Sequence, residues 1–506
     1  MIQIRYANGA SVLGRCSARA RIMNYLRVCV GLALVGVWSL QSPISLAEDE
    51  MDDDALTILS AIEANTVRYE GISRRIWDWA EVGYQEVKSS ALLQQTLREE
   101  GFSIQEGVAD IPTAFVASFG SGQPVIGILA EFDALPGITQ SALPRRDELP
   151  NQRAGHACGH HLFGTASTAA AIALRHWLEE TGRQGTIRLY GTPAEEGGSG
   201  KVYMVRAGLF DDVDTVLHWH SADRNTANPA TSLANKSARI RFKGQSSHAA
   251  AAPERGRSAL DGVEALNFMV NLMREHVPQE TRIHYVITEG GKAPNVVPDA
   301  AEVYYYIRHP DAETLKTIWD RVMLAADGAA MGTGTEVSVE TMHGNHSLLP
   351  NEALATAMHR NLSWLGGFEL SESERQFANE IQSTLGLSQP IPAFERMIQP
   401  MKLQQGGGST DVGDVSWVVP TTGLTTATWV AGTSAHSWQA IAAGGMSIGT
   451  KGMMLAAKAL ALTARDLMLD PALVRGAKAE FDRRRGPEFK YEALLGDRAP
   501  PLDYRD

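Results

Sequence analysis

The sequence predicts an α/β fold interrupted by a second domain. Short apolar runs alternate with helical stretches over most of the 506 residues, the order expected of a layered α/β protein. A βαββαβ order, that of a ferredoxin-like unit, occupies residues 235–345, between two halves of that alternation. The length is about three times that of a typical domain, so a large core and two or three domains fit ordinary size rules.

In the outer halves, apolar runs predict strands at 124–130, 185–191, 213–219 and 424–429. Helices are expected at 89–100, 162–180 and 448–467; the second is alanine-rich and stops near Gly182, a helix-ending residue. Within the insertion the reading is strand 239–242, helix 258–276, strands 283–288 and 302–307, helix 312–327 and strand 336–341. The domain reading is 1–47 signal peptide, 48–234 first part of the outer α/β domain, 235–345 inserted domain, 346–470 second part of the outer domain and 471–506 C-terminal extension. That extension, with its Arg483-Arg484-Arg485 run and Pro500-Pro501, reads as an extended surface segment without chemistry of its own.

The charge balance excludes one class of function. A formal net charge of −12 lacks the basic footprint that nonspecific nucleic-acid binding requires. Residues 1–47 contain five arginines and no acid, then an apolar run at 28–40, then Ser45-Leu46-Ala47. This is the order of a secretory signal with cleavage after Ala47; Met23 is an alternative start, and a retained anchor is the alternative reading. The run is shorter than the roughly 20 residues that span a bilayer, so the expectation is a periplasmic or secreted product without a stable membrane anchor. Cys16 and Cys29 leave with the signal, which excludes an intrachain disulfide and leaves Cys158 alone.

Chemistry-bearing residues collect in a few strings. His156-Ala157-Cys158-Gly159-His160-His161 places four nitrogen or sulfur donors in six residues just before a helix, and such donors suit borderline-soft divalent cations. A buried cysteine among surface histidines is the plain alternative. Pro193-Ala194-Glu195-Glu196-Gly197-Gly198 follows a strand, so both acids leave the sheet where open α/β sheets bind ligands. Adjacent acids point apart, and one can bind metal while the other acts as a general base. Three more strings repeat the placement: Glu131 and Asp133 in 130–136, His218 and His220 around Trp219, and His436 in 432–437. His218 and His220 share strand parity, so spacing alone leaves open which of them is a ligand.

These residues resemble the M20 metallopeptidase family, in its amidohydrolase branch. The likeness rests on the strings at 155–160 and 193–198, Ser246-Ser247-His248-Ala249-Ala250 before Pro253, the 408–417 string Gly-Ser-Thr-Asp-Val-Gly-Asp-Val-Ser-Trp, and His436-Ser437-Trp438-Gln439. It covers about residues 55–500. It implies an aminoacylase-type di-metal catalytic domain with an inserted dimerisation or lid domain. It further implies metal ligation by Cys158, His160, Glu196, His220 and His436, with His218 in reserve, Glu195 as general base, and Asp133 orienting a ligand histidine. His248, Asn295 and Arg308 are implied to hold substrate, His248 also acting in catalysis from the partner subunit. His161 departs from the family, whose members carry Asn or Asp there.

The expected activity is metal-dependent cleavage of the amide of an N-acyl or N-aroyl amino acid, aminobenzoyl-glutamate being the leading candidate. The expected cofactors are two divalent ions, Zn or Mn, and the expected assembly is a homodimer. Two rivals stand beside this reading: a cysteine hydrolase using Cys158 with a nearby histidine, and a non-enzymatic exported solute-binding protein.

Overall fold

The computed structural model describes residues 52–505, which form one compact unit; the signal-peptide reading falls outside the described residues. The main sheet has six strands in the spatial order Ser103–Glu106, Phe115–Ser121, Gly185–Gly191, Val125–Ala130, Thr215–Ala222 and Thr421–Ala427. The first two pair antiparallel at one edge and the remaining four run parallel. Val125–Ala130 is buried at every position, the continuous apolar run of a strand covered on both faces.

The alanine-rich helix spans His160–Thr181, and every side chain from His160 to Leu174 is buried. Small side chains let it pack closely against the sheet and the second long helix, Ser447–Leu469, whose inner face is likewise rich in alanine. Its entry turns on Gly159, at φ 80°; a side chain there would collide with Ser221. Two amphipathic helices at Asp53–Ala64 and Thr66–Trp79 escaped the sequence reading.

The insertion folds in the expected order. Four antiparallel strands lie as Arg282–Glu289, Ala300–His309, Ala234–Lys243 and Glu336–Asn345, with helices Ala259–Met273 and Ala312–Thr333 on one face. Along Ala300–His309, Val303, Tyr305 and Ile307 enter the core of this domain, while Tyr304, Tyr306 and Arg308 face the other way, the two-residue period of a strand. The edge strand paired with it, Arg282–Glu289, is exposed at all positions but Ile283.

The C-terminal extension differs from the expected extended surface segment. Pro471–Arg485 is a helix: Asp470 caps it by accepting from the Ala472 amide at 2.8 Å, Pro471 occupies its first turn, and the three arginines sit in its last turn against the negative end of the helix dipole. Residues 486–505 then run back across the molecule. Leu494 packs into the core of the inserted domain and Leu495 into that of the catalytic domain.

Candidate metal centre and its cavity

The parallel strands deliver their C-terminal ends to one cavity of about 670 Å³, closed on its far side by the inserted domain. On Thr215–Ala222, His218 and His220 do share a face, but only His220 reaches the donor cluster. Its Nδ1 donates to the Ser221 carbonyl at 2.8 Å, leaving Nε2 3.3 Å from Cys158 Sγ. His218 lines the cavity and packs its ring over Gly423.

Cys158 belongs to two groups of donors, each within 4.8 Å of one another: Cys158, His160 and His220, and Cys158, Glu196 and His436. Asp133 ties the groups together. Its Oδ1 accepts from His160 Nδ1 at 2.9 Å, aiming Nε2 into the site, and its Oδ2 accepts from the Glu196 amide at 2.9 Å. Burial opposes the Asp133 charge, but the charge and hydrogen bond of His160 win and hold this carboxyl at about 2. Glu196 Oε1 lies 3.2 Å from His436 Nε2, and His436 has left-handed φ of 61°, a strained conformation of the kind that gathers at functional sites.

This donor set fits a pair of divalent ions. His160 Nε2 and Glu196 Oε1 are buried and make no well-aligned hydrogen bond, with Glu131 Oε2 at 3.1 Å and His436 Nε2 at 3.2 Å beside them, which is costly unless something else occupies their lone pairs. The donors are sulfur, imidazole and carboxylate, the mixture borderline metals take. Burial, then the Glu196 carboxylate, push the Cys158 thiol well above its ordinary range, and coordination is what restores a thiolate in such surroundings.

Glu195 and Glu196 diverge as adjacent acids should, and Glu195 joins a third donor group with Glu131 and His160. Burial and the neighbouring Glu131 and Glu196 carboxylates raise the Glu195 carboxyl well above the usual range. The turn carrying it is strained at Ala194, φ 58°, and is held by the fully buried Glu86, which accepts the Ala194 amide at 2.8 Å and the Thr113 hydroxyl at 3.1 Å. Fully buried Lys201 places its ammonium 2.7 Å from both Glu131 and Asp411, an arrangement in which desolvated charges compensate one another. Sequence reasoning gave neither Glu86 nor Lys201 a role. A signal existed for Lys201, which stands beside the apolar run Val202-Tyr203-Met204-Val205.

The strings at 156–161 and at 246–308 divide. Cys158 lines the cavity and His160 joins it in the donor cluster, whereas His156 donates toward the Ile76 carbonyl at 3.1 Å and His161 toward the Gly444 carbonyl at 3.0 Å, their rings packed at 4.8 Å. Arg308 lines the cavity. His248 and Asn295 do not; they lie together on the exposed surface of the inserted domain, where the Ala249 amide donates to the Asn295 carbonyl at 3.0 Å. Tyr504 and Arg505, which the sequence reading assigned to a surface segment, line the cavity.

Comparison with known proteins agrees with this architecture. Residues 234–331 match the peptidase dimerisation domain of the M20 family. The chain is 41% identical over 451 residues to a p-aminobenzoyl-glutamate hydrolase of Escherichia coli (strain K12), covering 84% of this chain and 94% of that one. It is 30% identical to a mouse Xaa-Arg dipeptidase, covering 83% and 90%. A Bacillus subtilis protein described as a dinuclear metal binding peptidase shares the fold, with TM-score 0.50 and 19% identity, covering 79% of this chain and 98% of that one. With the dimerisation-domain match over residues 234–331 and 41% identity over 451 residues, the chain belongs to the M20 family of hydrolases.

Proposed function

We propose that this protein is a two-metal amidohydrolase that cleaves the amide of N-acyl or N-aroyl amino acids, with aminobenzoyl-glutamate as its leading substrate. The observation that carries the reading is Cys158, shared by two donor groups beside Glu195 on the wall of one cavity. The names of the relatives, an aminobenzoyl-glutamate hydrolase and a dipeptidase, support the same bond type. Zinc or manganese is the proposed metal, held by Cys158, His160, Glu196, His220 and His436.

When bound, the ions supply Lewis acidity to the amide carbonyl and acidify water. Glu195 takes the proton of the attacking water and returns it to the leaving amine nitrogen, so the proton count closes on one carboxylate. Burial and the like charges of Glu131 and Glu196 raise this carboxyl, which makes its carboxylate a stronger base for the first step. Asp133 holds His160 and the Glu196 backbone in register throughout. The cysteine-nucleophile alternative is disfavoured, because a reactive thiol needs surroundings that lower its pKa and those of Cys158 raise it.

The inserted domain is proposed to pair with a second copy, bringing His248 and Asn295 to the partner's cavity. Its surface supports this: the open edge strand exposes Val286 and Ile287, and the helices expose Phe268, Leu272, Leu324 and Met331. The proposed location is the periplasm or the exterior, resting on the charge and apolar pattern of residues 1–47; among the described residues no helix is long and apolar enough to cross a membrane.

The test is a hydrolysis panel of N-acyl amino acids on metal-analysed protein. Chelation abolishes turnover, added Mn²⁺ or Zn²⁺ restores it, and Glu195→Gln loses about 10²–10⁴-fold in kcat with metal retained. Full activity in verified metal-free protein, or no cleavage of any member by the loaded protein, defeats the reading.

A further inference from the structure

Residues 486–505 have no part in the mechanism above, yet they end at its centre. The segment is tied to both domains on the way. The Tyr491 hydroxyl donates to Asp414 at 2.7 Å, Arg498 donates to the Thr341 carbonyl of the inserted domain, and the Arg498 carbonyl accepts from Arg206 of the catalytic domain at 2.8 Å. Tyr504 then packs edge-on against Tyr84 at 5.5 Å and donates to the Glu196 carbonyl at 3.1 Å; Arg505 donates to the same carbonyl. The guanidinium of Arg505 therefore stands beside a residue of the proposed metal centre, on the wall of the substrate cavity.

A second guanidinium approaches from the inserted domain. Arg308 lies 5.4 Å over the ring of Tyr306, and the charges of Arg308 and Arg505 both bear on the Tyr306 hydroxyl. Among the described residues neither arginine has a carboxylate within ion-pair distance, and the Nε of each is buried without a hydrogen-bond partner. The contrast with Arg239 is informative. It lines the same cavity but is neutralised by Glu302 at 2.6 Å. Two partly buried cations, without a carboxylate partner among the described residues, form a receptor for anions, and a planar guanidinium recognises carboxylate by two parallel hydrogen bonds.

We propose that Arg505, beside the substrate-holding Arg308, takes the side-chain carboxylate of a dicarboxylic ligand whose α-carboxylate goes to Arg308. The segment 486–505 is then the specificity-determining part of the site, the one that separates acidic from neutral side chains among N-acyl amino acids. This rests on the amidohydrolase reading for its substrate class, though not for the binding it describes.

The experiment measures binding by calorimetry in metal-loaded Glu195→Gln protein, which holds ligand without consuming it. N-acetyl-L-glutamate is compared with N-acetyl-L-glutamine, which has nearly the same shape and lacks one charge. The parent should prefer the glutamate ligand by about tenfold or more. Arg505→Ala should erase that preference by weakening the glutamate ligand alone, and Arg505→Lys should restore part of it. An equal loss for both ligands would mean that Arg505 only positions the Glu196 backbone, and that result, no change on Arg505→Ala, or a parent without preference each overturns the proposal. Hydrolysis of the full N-acyl and N-aroyl panel by protein with Glu195 intact separates the two ideas: failure to cleave any member removes the amidohydrolase reading, while the ratio of affinities still decides Arg505.

Discussion

His160 and His161 are neighbours in sequence and opposites in environment. Both begin the same helix, and one residue of α-helix turns the side chain by about 100°, so the first meets the sheet edge and the second meets a neighbouring helix. Burial works against a positive charge on His160, but Cys158 and the Asp133 and Glu131 carboxyls around it prevail and raise it well above the usual histidine range, surroundings that draw a cation to this ring. His161 has only burial, His156 and a carbonyl, and burial holds it neutral, well below the usual histidine range. The same residue type is thus a candidate ligand on one side of the turn and a packed, hydrogen-bonded core residue on the other. Surrounding charge separates the two roles, and proximity in the motif does not.

The comparison can be broken by a pair of substitutions. His160→Asn should lower metal affinity and kcat/KM by more than about 10²-fold, since even partners that merely orient a ligand cost about 10–100-fold. His161→Asn should keep its metal and most of its activity. Metal analysis of both variants, followed by kinetics, decides the matter: comparable metal loss in the two would make the motif a single donor cluster and end the distinction.

His248 sharpens the comparison, because it is neither ringed by acids nor packed in a core. Exposed on the inserted domain, it has an assigned role only if a second copy covers it. Replacement by alanine should leave metal content unchanged and reduce kcat by about 10²-fold, the loss of one hydrogen bond to developing negative charge. Mixing His248→Ala with Glu195→Gln chains should recover activity, since each mixed dimer then contains one site with both residues intact. Failure to recover in demonstrated heterodimers would reject the shared site.

What the sequence made legible follows the range of the interactions. The βαββαβ insertion and the alanine-rich helix were readable because their periodicity is local: strand 185–191 was placed at its observed bounds, and helix 162–180 fell inside His160–Thr181. The strand expected at 213–219 lies at Thr215–Ala222 instead, its end extended by His220 and Ser221, polar residues that a hydropathy pattern discounts. The donor strings were found because they are dense. The outward turn of His156 and His161 was not, since it depends on where the helix begins to within one residue. Nor was the approach of Tyr504 to Tyr84 and Glu196, which joins positions hundreds of residues apart and leaves no periodic trace.

The last effect lies in acid stability, where the core-packed pair should reveal itself. Burial holds His156 down at about 3, with the His160 charge adding to it, and holds His161 well below its ordinary value. In the unfolded chain both titrate near 6.5. A base whose folded pKa is depressed stabilises the fold in its neutral form, so this contribution is complete above about pH 6.5. It is lost as pH falls from there toward about 3, because the unfolded state binds protons that the folded state refuses. Each such histidine contributes a slope of about 1.4 kcal/mol per pH unit across that window. Denaturant unfolding of chelated protein from pH 7 to pH 4 should therefore show a shallower acid decline in His161→Asn than in the parent, by about one histidine's worth. Chelation matters, since release of metal by protonated ligands would otherwise add its own slope. Parallel declines in the two proteins would mean that His161 takes up its proton while folded, and the neutral, core-packed half of the comparison would fall with it.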